Sequence, residues 1–489
     1  MDDLGRLLLQ SFAAFAGRTA LNDSSGSWTY RQLADAAAAI ERALRGAGLA
    51  ADEPVIVPVA NEARDGAALT GVWLAGGVAV PVARNAPARA IDVVRATTGA
   101  RFCVTNAAAQ LVSEVADKPP PPRPLLKGAA IIVFTSGSTG RPKGVVLSHR
   151  AFAGKLEAID AMLGFTPRTR TLLVLQITFV FGMWVLLLTL LKGGSGWMHS
   201  RFEPAVILTA LRDQHISDAA LVPTMLRKFL SLDETLSKPL IADAALERIL
   251  VGGEPFGREL SMRLQKLMPN TQAVDIYGLT ETCSSDFFLS AHEREQFAET
   301  IGRPGPGVQF RIADDAGRDL PVAATGELQI RTPFVMNGYL DEPDTTRGAF
   351  VDGFFRTGDL ARRREDGRVE LAGRIKDLII RGGAKVSPLE LDHVLAQHPD
   401  VAAALTAGVP DSLMGERIHA LVVPRANASI DEKGMREWIA GRIERFKWPD
   451  VYHFGPELPT GRTGKVDRNA LRDQVLRISA TGGQPIGHR

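Results

Sequence analysis

Short apolar runs alternate along the first half of the chain with longer stretches whose apolar positions recur at helical spacing. Residues 54–59 and 77–82 read as buried strands, residues 63–74 and 87–97 as helices, and residues 102–105 as another strand. Pro87 suits the first turn of its helix, where no backbone N–H is needed. Ahead of these lie a helix, a short hairpin around residues 23–27 and a second helix from Thr29, a residue able to cap it. Beyond residue 200 the alternation resumes, with helices over 204–214 and 224–231 and strands over 219–222 and 249–251. This pattern predicts an α/β body of parallel sheets covered by helices. Residues 301–312, 326–340 and 354–374 are strand-rich with turns at 315–317 and 365–367, which predicts a β-rich subdomain packed on that body, and near the tail a further helix is expected over 431–445.

One stretch breaks the pattern. Residues 172–191, LLVLQITFVFGMWVLLLTLL, carry no charge and match a membrane span in length. Gln176, Thr178 and Gly182 interrupt it, no second span exists, and its first part is rich in β-branched and aromatic residues. It reads as a buried strand, a turn near residues 179–182 and a buried helix, with no membrane span expected. Residues 118–124, KPPPPRP, form a stiff extended connector.

Composition narrows the class. With 489 residues, 45% hydrophobic and 23% charged, the chain is long enough for a large globular body and more than one domain. A net charge of +2 without a long basic block argues against a nucleic-acid partner. Cys103 and Cys283 lie far apart without metal-ligand spacing, so a reducing cytoplasm is the expected location. MDDLGRLLLQSFAAF starts acidic and does not read as a secretory signal.

The chemistry gathers at TSGSTGRPKG, residues 135–144. Thr135, Ser136, Ser138 and Thr139 alternate with Gly137 and Gly140, so hydroxyls and unshielded N–H groups can turn toward one anion. Arg141 and Lys143 add positive charge, and apolar strands clamp the loop on both sides. A flexible surface turn shares this composition. A P-loop would need Gly-Lys-Ser or Gly-Lys-Thr opening a helix, whereas Lys143 is followed by Gly144 and a strand-like run.

TSGSTGRPKG resembles the phosphate-binding signature of the adenylate-forming superfamily, which includes acyl-CoA synthetases, peptide-synthetase adenylation domains and luciferases. Later segments resemble the family's other motifs in order, from WTYRQL (residues 28–33) to Lys465. GGE, residues 252–254, ends a strand in Gly252, Gly253 and Glu254; it suits a structural turn and a nucleotide wall equally. In DIYGLTETCSS, residues 275–285, the resemblance implies nucleotide contacts for Asp275, Tyr277 and Gly278, with Tyr277 stacking on adenine. It implies a phosphate contact for Thr280 and Mg²⁺ held by Glu281. An aromatic face suits a purine, and a carboxylate suits a hard cation that keeps waters and phosphate oxygens in its shell. TGDL implies that Asp359 binds both ribose hydroxyls, and Arg374 a ribose or phosphate contact. The family's hinge falls on Lys376, its thiol-tunnel loop on Gly382 and Gly383, and its mobile catalytic lysine on Lys465. The implied architecture is a large N-terminal domain over residues 1–374 and a small mobile α+β domain over 375–489.

The resemblance implies an ATP-dependent ligase in which a carboxylate attacks the α-phosphate and a thiol then takes the acyl group. Lys143, Thr280, Glu281 and Lys465 are its expected catalytic residues. The thiol is that of coenzyme A or of a carrier-protein phosphopantetheine, which the sequence barely separates; a nucleotide-binding pseudoenzyme is the reading from another class. Phe179 stands where acyl-CoA synthetases often carry His, and residues 176–184 include no acid to hold an α-ammonium. Phe179, Gly182 and Cys283 are the expected acyl-pocket residues, which points to an apolar or aromatic acid, although the aromatic side chains of this segment equally suit the core. Oligomeric state is not legible.

Overall fold

The computed structural model describes residues 3–107, 110–115, 120–135, 143–230, 232, 244–425, 428–461 and 465–480. Alternating strands and helices in its first 300 residues build two sheets. In the first, strands Ala129–Thr135, Val78–Ala83, Pro54–Val59 and Phe102–Ala107 run parallel in that order. Antiparallel strands finish each edge, Lys143–Ser148 and Gly338–Tyr339 on one side and Gln110–Glu114 on the other. In the second, six strands run parallel, from Gln272–Tyr277 through Arg248–Gly252, Asp218–Leu221, Arg170–Leu173 and Ser195–Met198 to Thr19–Asp23. Parallel pairing needs helical crossovers that cover both faces, which is why these strands read as near-continuous apolar runs.

One hydrophobic cluster joins both sheets. Leu21, Leu173 and Ile276 of one and Val55, Ile131 and Leu147 of the other pack with Trp73, Phe152 and Trp184 from the helices Ala63–Ala75, His149–Leu163 and Val180–Leu191. Each such side chain contributes roughly 1.5–3 kcal/mol when fully buried. The helix Tyr30–Gly46 opens as its sequence predicts, with Thr29 and Gln32 forming a reciprocal capping box.

The uncharged stretch differs in one detail from expectation. Its helix begins at Val180, with Phe179 as the extended N-cap, so Gly182 sits inside the first turn rather than in a loop. A Cβ at Gly182 would lie 2.6 Å from the Gln176 carbonyl oxygen and 2.8 Å from that of Leu175, so the helix start presses onto the connector that follows strand Arg170–Leu173. Among the described residues no helix is long and apolar enough to cross a membrane.

The β-rich subdomain is an antiparallel sheet of Gln309–Ala313, Thr325–Arg331, Phe354–Arg363, Phe350–Val351 and Val369–Arg374. A fourth sheet holds Ile379–Arg381, Ala384–Val386, Val401–Asp411, Gly415–Pro424 and Val451–Phe454. Helices Pro388–Ala396 and Glu432–Ile439 share a separate core with it, while Arg468–Ala480 packs through Leu471 and Val475 in another. The helix expected over 431–445 stops at Ile439; Gly441, at φ +75°, turns the chain away. The molecule is thus a large α/β body with a β-rich subdomain and a small α+β C-terminal domain.

Candidate active site

Strands Ala129–Thr135 and Lys143–Ser148 pair antiparallel with Thr135 opposite Lys143, which sets the two ends of the TSGSTGRPKG motif side by side. Ser136, Gly137, Ser138, Thr139 and Gly140 lie outside the described residues. Lys143 places its ammonium 5.1 Å from the centre of the Tyr339 ring, and the Tyr339 hydroxyl donates to Glu281 Oε1 at 2.9 Å. Burial and the Glu281 charge push the Tyr339 phenol above its usual range, so it remains a donor. Tyr339 was not singled out from the sequence. Its strand Gly338–Tyr339 is only two residues long and finds its place by pairing with Val145 and Val146.

Thr280 and Glu281 occupy a single 3-10 turn, Thr280–Thr282. Cys283, Ser284 and Ser285 then follow at φ 58°, 69° and 55°. Three successive side-chain-bearing residues in the left-handed region store roughly 1–3 kcal/mol each and persist only where the surroundings hold them. Ser284 N donates to Leu279 O and Asp286 N to Tyr277 O, both at 2.7 Å. Gly278 is required opposite them, since a Cβ there would fall 2.0 Å from Ser285 N.

Beneath this turn lies a charge pair that pattern reading missed. Lys155 donates to Asp286 at 2.7 Å with the two side chains 1% and 0% exposed, and the Thr282 hydroxyl also donates to Asp286. The Lys155 ammonium lies 5.2 Å from the Phe334 ring centre. A signal existed: Lys155 falls on the apolar stripe of Phe152, Leu156, Ile159 and Leu163, where a lone cation implies a buried partner.

Asp275 and Tyr277 alternate onto one face of the strand Gln272–Tyr277. The Tyr277 hydroxyl donates to Asp359 Oδ2 at 2.5 Å, and Arg374 Nε reaches Asp359 Oδ1 at 2.8 Å. Register explains the second contact, because Asp359 and Arg374 are direct partners across strands Phe354–Arg363 and Val369–Arg374. Burial, reinforced by Asp359, raises the Tyr277 phenol well above normal, while Asp359 holds Arg374 more firmly protonated. Asp275 is buried against Arg294, 3.5 Å away, and burial pushes its carboxyl up to about 6. Arg294 in turn covers the face of Phe256 at 3.8 Å.

Gly252 pairs with Ile276, and a Cβ on it would meet the Ile276 carbonyl at 2.6 Å and Phe181 at 3.1 Å. Gly253, at φ +84°, lies directly under Lys465, whose Cε and Nζ would be 2.7 Å from a Cβ there. Lys465 is thus brought to the strand end that carries Gly252, Gly253 and Glu254. Burial pushes its ammonium pKa down, Glu254 opposes this and Arg374 adds to it. Lys376 is exposed in the 3-10 turn Ile375–Asp377. Gly382 and Gly383 are exposed at the Ile379–Arg381/Ala384–Val386 turn, at φ +55° and +83°. Phe179 is half-buried, and Phe181 stacks on Trp184 at 5.5 Å between ring centres. Cys283 is fully buried, which pushes its thiol up to about 12.

Comparison with known proteins gives this arrangement a lineage. The AMP-binding enzyme family profile matches residues 8–124 and 111–340, and the profile of its C-terminal domain matches residues 390–465. A feruloyl-CoA synthase from an Amycolatopsis species is 30% identical over 476 residues, spanning 93% of this chain and 95% of that protein. A fatty acid–[acyl-carrier-protein] ligase, ScoC of Streptomyces coeruleorubidus, is 33% identical over 71% of this chain and 68% of its own length. The crystal structure of ATP-bound MatB from Rhodopseudomonas palustris superimposes with a TM-score of 0.84 at 26% identity, covering 97% of this chain and 99% of that one. This chain belongs to the AMP-binding enzyme family and is an AMP-forming acid–thiol ligase that uses ATP and coenzyme A.

Proposed function

We propose that the chain activates an apolar or aromatic carboxylic acid as its acyl-adenylate, releasing pyrophosphate, and passes the acyl group to coenzyme A. The observation that carries this reading is Lys465 seated over Gly253, beside the strand whose Asp275 and Tyr277 face one way and whose Tyr277 is tied to Asp359. The acid is already ionised at neutral pH, so the first half-reaction needs no general base. It needs charge stabilisation on the phosphate oxygens as the P–O bond to pyrophosphate breaks. Lys143, Thr280 and Lys465, with the hydroxyls and N–H groups of residues 135–140, supply it. Asp359 and Arg374 orient the ribose, Tyr277 covers the adenine, and Asp275, Gly278 and the Gly252–Gly253 wall complete the nucleotide cradle. Glu281 suits Mg²⁺: Tyr339 occupies Oε1 with one hydrogen bond and holds the carboxylate in place, and one fixed carboxylate beside a triphosphate is a donor set magnesium accepts. When bound, the ion would neutralise phosphate charge.

For the acid, Phe179 puts an apolar ring where a polar one often stands, half-buried Phe181 lies next to Gly252, and we assign Gly182 and Cys283, both buried, to the same acyl-binding side. The second half-reaction requires Lys465 to leave and Gly382 and Gly383 to arrive. We assign that exchange to rotation of residues 375–489 about Lys376. Lys376→Pro is expected to spare adenylate formation and slow thioester formation at least tenfold, and equal loss of both would contradict the pivot. The decisive experiment is pyrophosphate release over a panel of aromatic, short-chain and medium-chain acids with and without coenzyme A. Aromatic or apolar acids should give release that coenzyme A accelerates. Release indifferent to coenzyme A would transfer the reading to a carrier-protein phosphopantetheine, the acceptor class in the name of the Streptomyces relative. Absence of release with every acid would reject ligase activity on this substrate class.

A further inference from the structure

The sequence left Glu254 equally suited to a structural turn and a nucleotide wall; in the structure its carboxylate is engaged by protein partners. The Thr224 hydroxyl lies 2.9 Å from both of its oxygens, Arg227 Nη1 approaches Oε2 at 3.5 Å, and the backbone N–H of Val466 donates to Oε1 at 3.0 Å. The side chain is only 7% exposed. Two of these partners come from the helix Pro223–Leu230 of the α/β body, and the third comes from the residue after Lys465. Thr224 and Arg227 fix the carboxylate on the body side, so it can receive a backbone donor arriving from the C-terminal domain.

We propose that Glu254 is the receptor for the lysine loop, a positioning residue that holds Val466 so that Lys465 rests over Gly253 during adenylation and that releases it before thioester formation. Two features of the geometry support this over a nucleotide contact. The oxygen that faces the loop, Oε1, is shared between Thr224 and Val466, which leaves little acceptor capacity for a ribose or an adenine amine. The described residues on either side of the lysine are tied to each other, with Gly461 N donating to Lys465 O at 2.8 Å and Asp467 N to Pro459 O at 2.9 Å. Capturing Val466 N therefore also places the neighbouring lysine, whose own carbonyl is held by Gly461. A carboxylate also attracts the Lys465 charge, whereas Arg374 repels it, so Glu254 opposes the repulsion that would push the loop out.

The inference rests on the reading that Lys465 serves adenylation, and the test separates the two. Glu254→Gln and Glu254→Ala are made in the wild-type chain and in a Lys465→Ala background. Acid-dependent ATP–pyrophosphate exchange, AMP affinity by calorimetry and thioester formation from supplied acyl-adenylate are measured on each. Expected are a 10- to 100-fold fall in exchange for Glu254→Ala, a smaller fall for Glu254→Gln, AMP affinity within twofold of wild type, and thioester formation from the adenylate retained or faster. In the Lys465→Ala background Glu254→Ala should add less than twofold. A multiplicative further loss there, or a fall in AMP affinity matching the fall in exchange, would overturn the proposal in favour of a nucleotide contact. Parallel loss of thioester formation in both Glu254 variants would overturn it in favour of a plain structural role. Full exchange in Lys465→Ala alone would instead reject the lysine assignment on which the inference depends.

Discussion

The wall that carries Asp275, Tyr277 and Glu281 and the segment that carries Lys465 are held by different physics. The wall ends a parallel strand, is braced by the buried Lys155–Asp286 pair and is tied to the β-rich subdomain through Asp359. Contacts of the C-terminal domain with the body include Val466 N to the nearly buried Glu254, the Ser387 hydroxyl to the Ala372 carbonyl and, more exposed, Arg425 to Glu259, all of them polar. A buried pair is formed once, during folding, because separating it strands a charge in low dielectric. The exposed Arg425–Glu259 pair exchanges for water at a net cost near 0–1 kcal/mol, and a single hydrogen bond to a carboxylate such as Val466 N to Glu254 at about 1.5–3 kcal/mol, so both can be broken and remade on every turnover. Rigidity lies where the nucleotide would sit, and exchangeability lies where a domain would have to move.

The comparison breaks most readily at the wall. Lys155→Met leaves Asp286 buried without its cation and should lower stability by about 3–5 kcal/mol, read as a fall in Tm; adding Asp286→Leu should restore much of it. An unchanged Tm in the single variant would mean that the pair does not brace the site. Next in size, Lys465→Ala should reduce ATP–pyrophosphate exchange by about 10²–10³-fold, about 2.7–4 kcal/mol, with Tm unaltered and supplied acyl-adenylate still converted by thiol. Retained exchange would remove the lysine from the mechanism.

A third measurement sharpens the contrast by pH. His419 and His453 meet at 3.0 Å on adjacent strands of the C-terminal domain, and burial, then His453 and Arg417, push the His419 pKa down to about 4, with Asp450 opposing. The unfolded chain takes up this proton near 6.5 while the folded domain resists it. The stabilisation is therefore complete above pH 6.5 and is lost as pH falls toward 4, with a slope of at most about 1.4 kcal/mol per pH unit. Hydrogen exchange in strand Gly415–Pro424 should accelerate across that range once intrinsic rates are removed, and less so in His419→Gln; a flat profile would contradict the assignment. Smallest is Arg425→Ala at the rim, expected to cost under about 1 kcal/mol and to change exchange less than twofold. A larger loss would show that the domain is clamped rather than lightly docked.

Legibility followed locality. The run over residues 54–59, the capping Thr29 and the alternation around residue 250 each carry their instruction within a few neighbours, and each formed as read. The helix over 431–445 was overrun because Gly441 breaks it against an otherwise suitable amphipathic pattern. The start of Val180–Leu191 was misjudged because Gly182 resembles a turn signal, whereas it is small to fit beneath the Leu175 and Gln176 carbonyls of the connector that precedes the helix. Tyr339 escaped notice because its position depends on a two-residue strand pairing with a segment almost 200 residues earlier.

By itself the sequence determined the α/β class, the order of the motifs and the residue types that could meet a phosphate, a ribose or a magnesium ion, since these reside in contiguous stretches with local geometry. Only the tertiary structure decided that Lys155 neutralises Asp286, that Tyr339 orients Glu281 and that Glu254 faces the backbone of Val466. Those pairings depend on how distant strands and helices come together, and burial gives them their strength. No pattern along the chain encodes which charge will find which partner once water is gone.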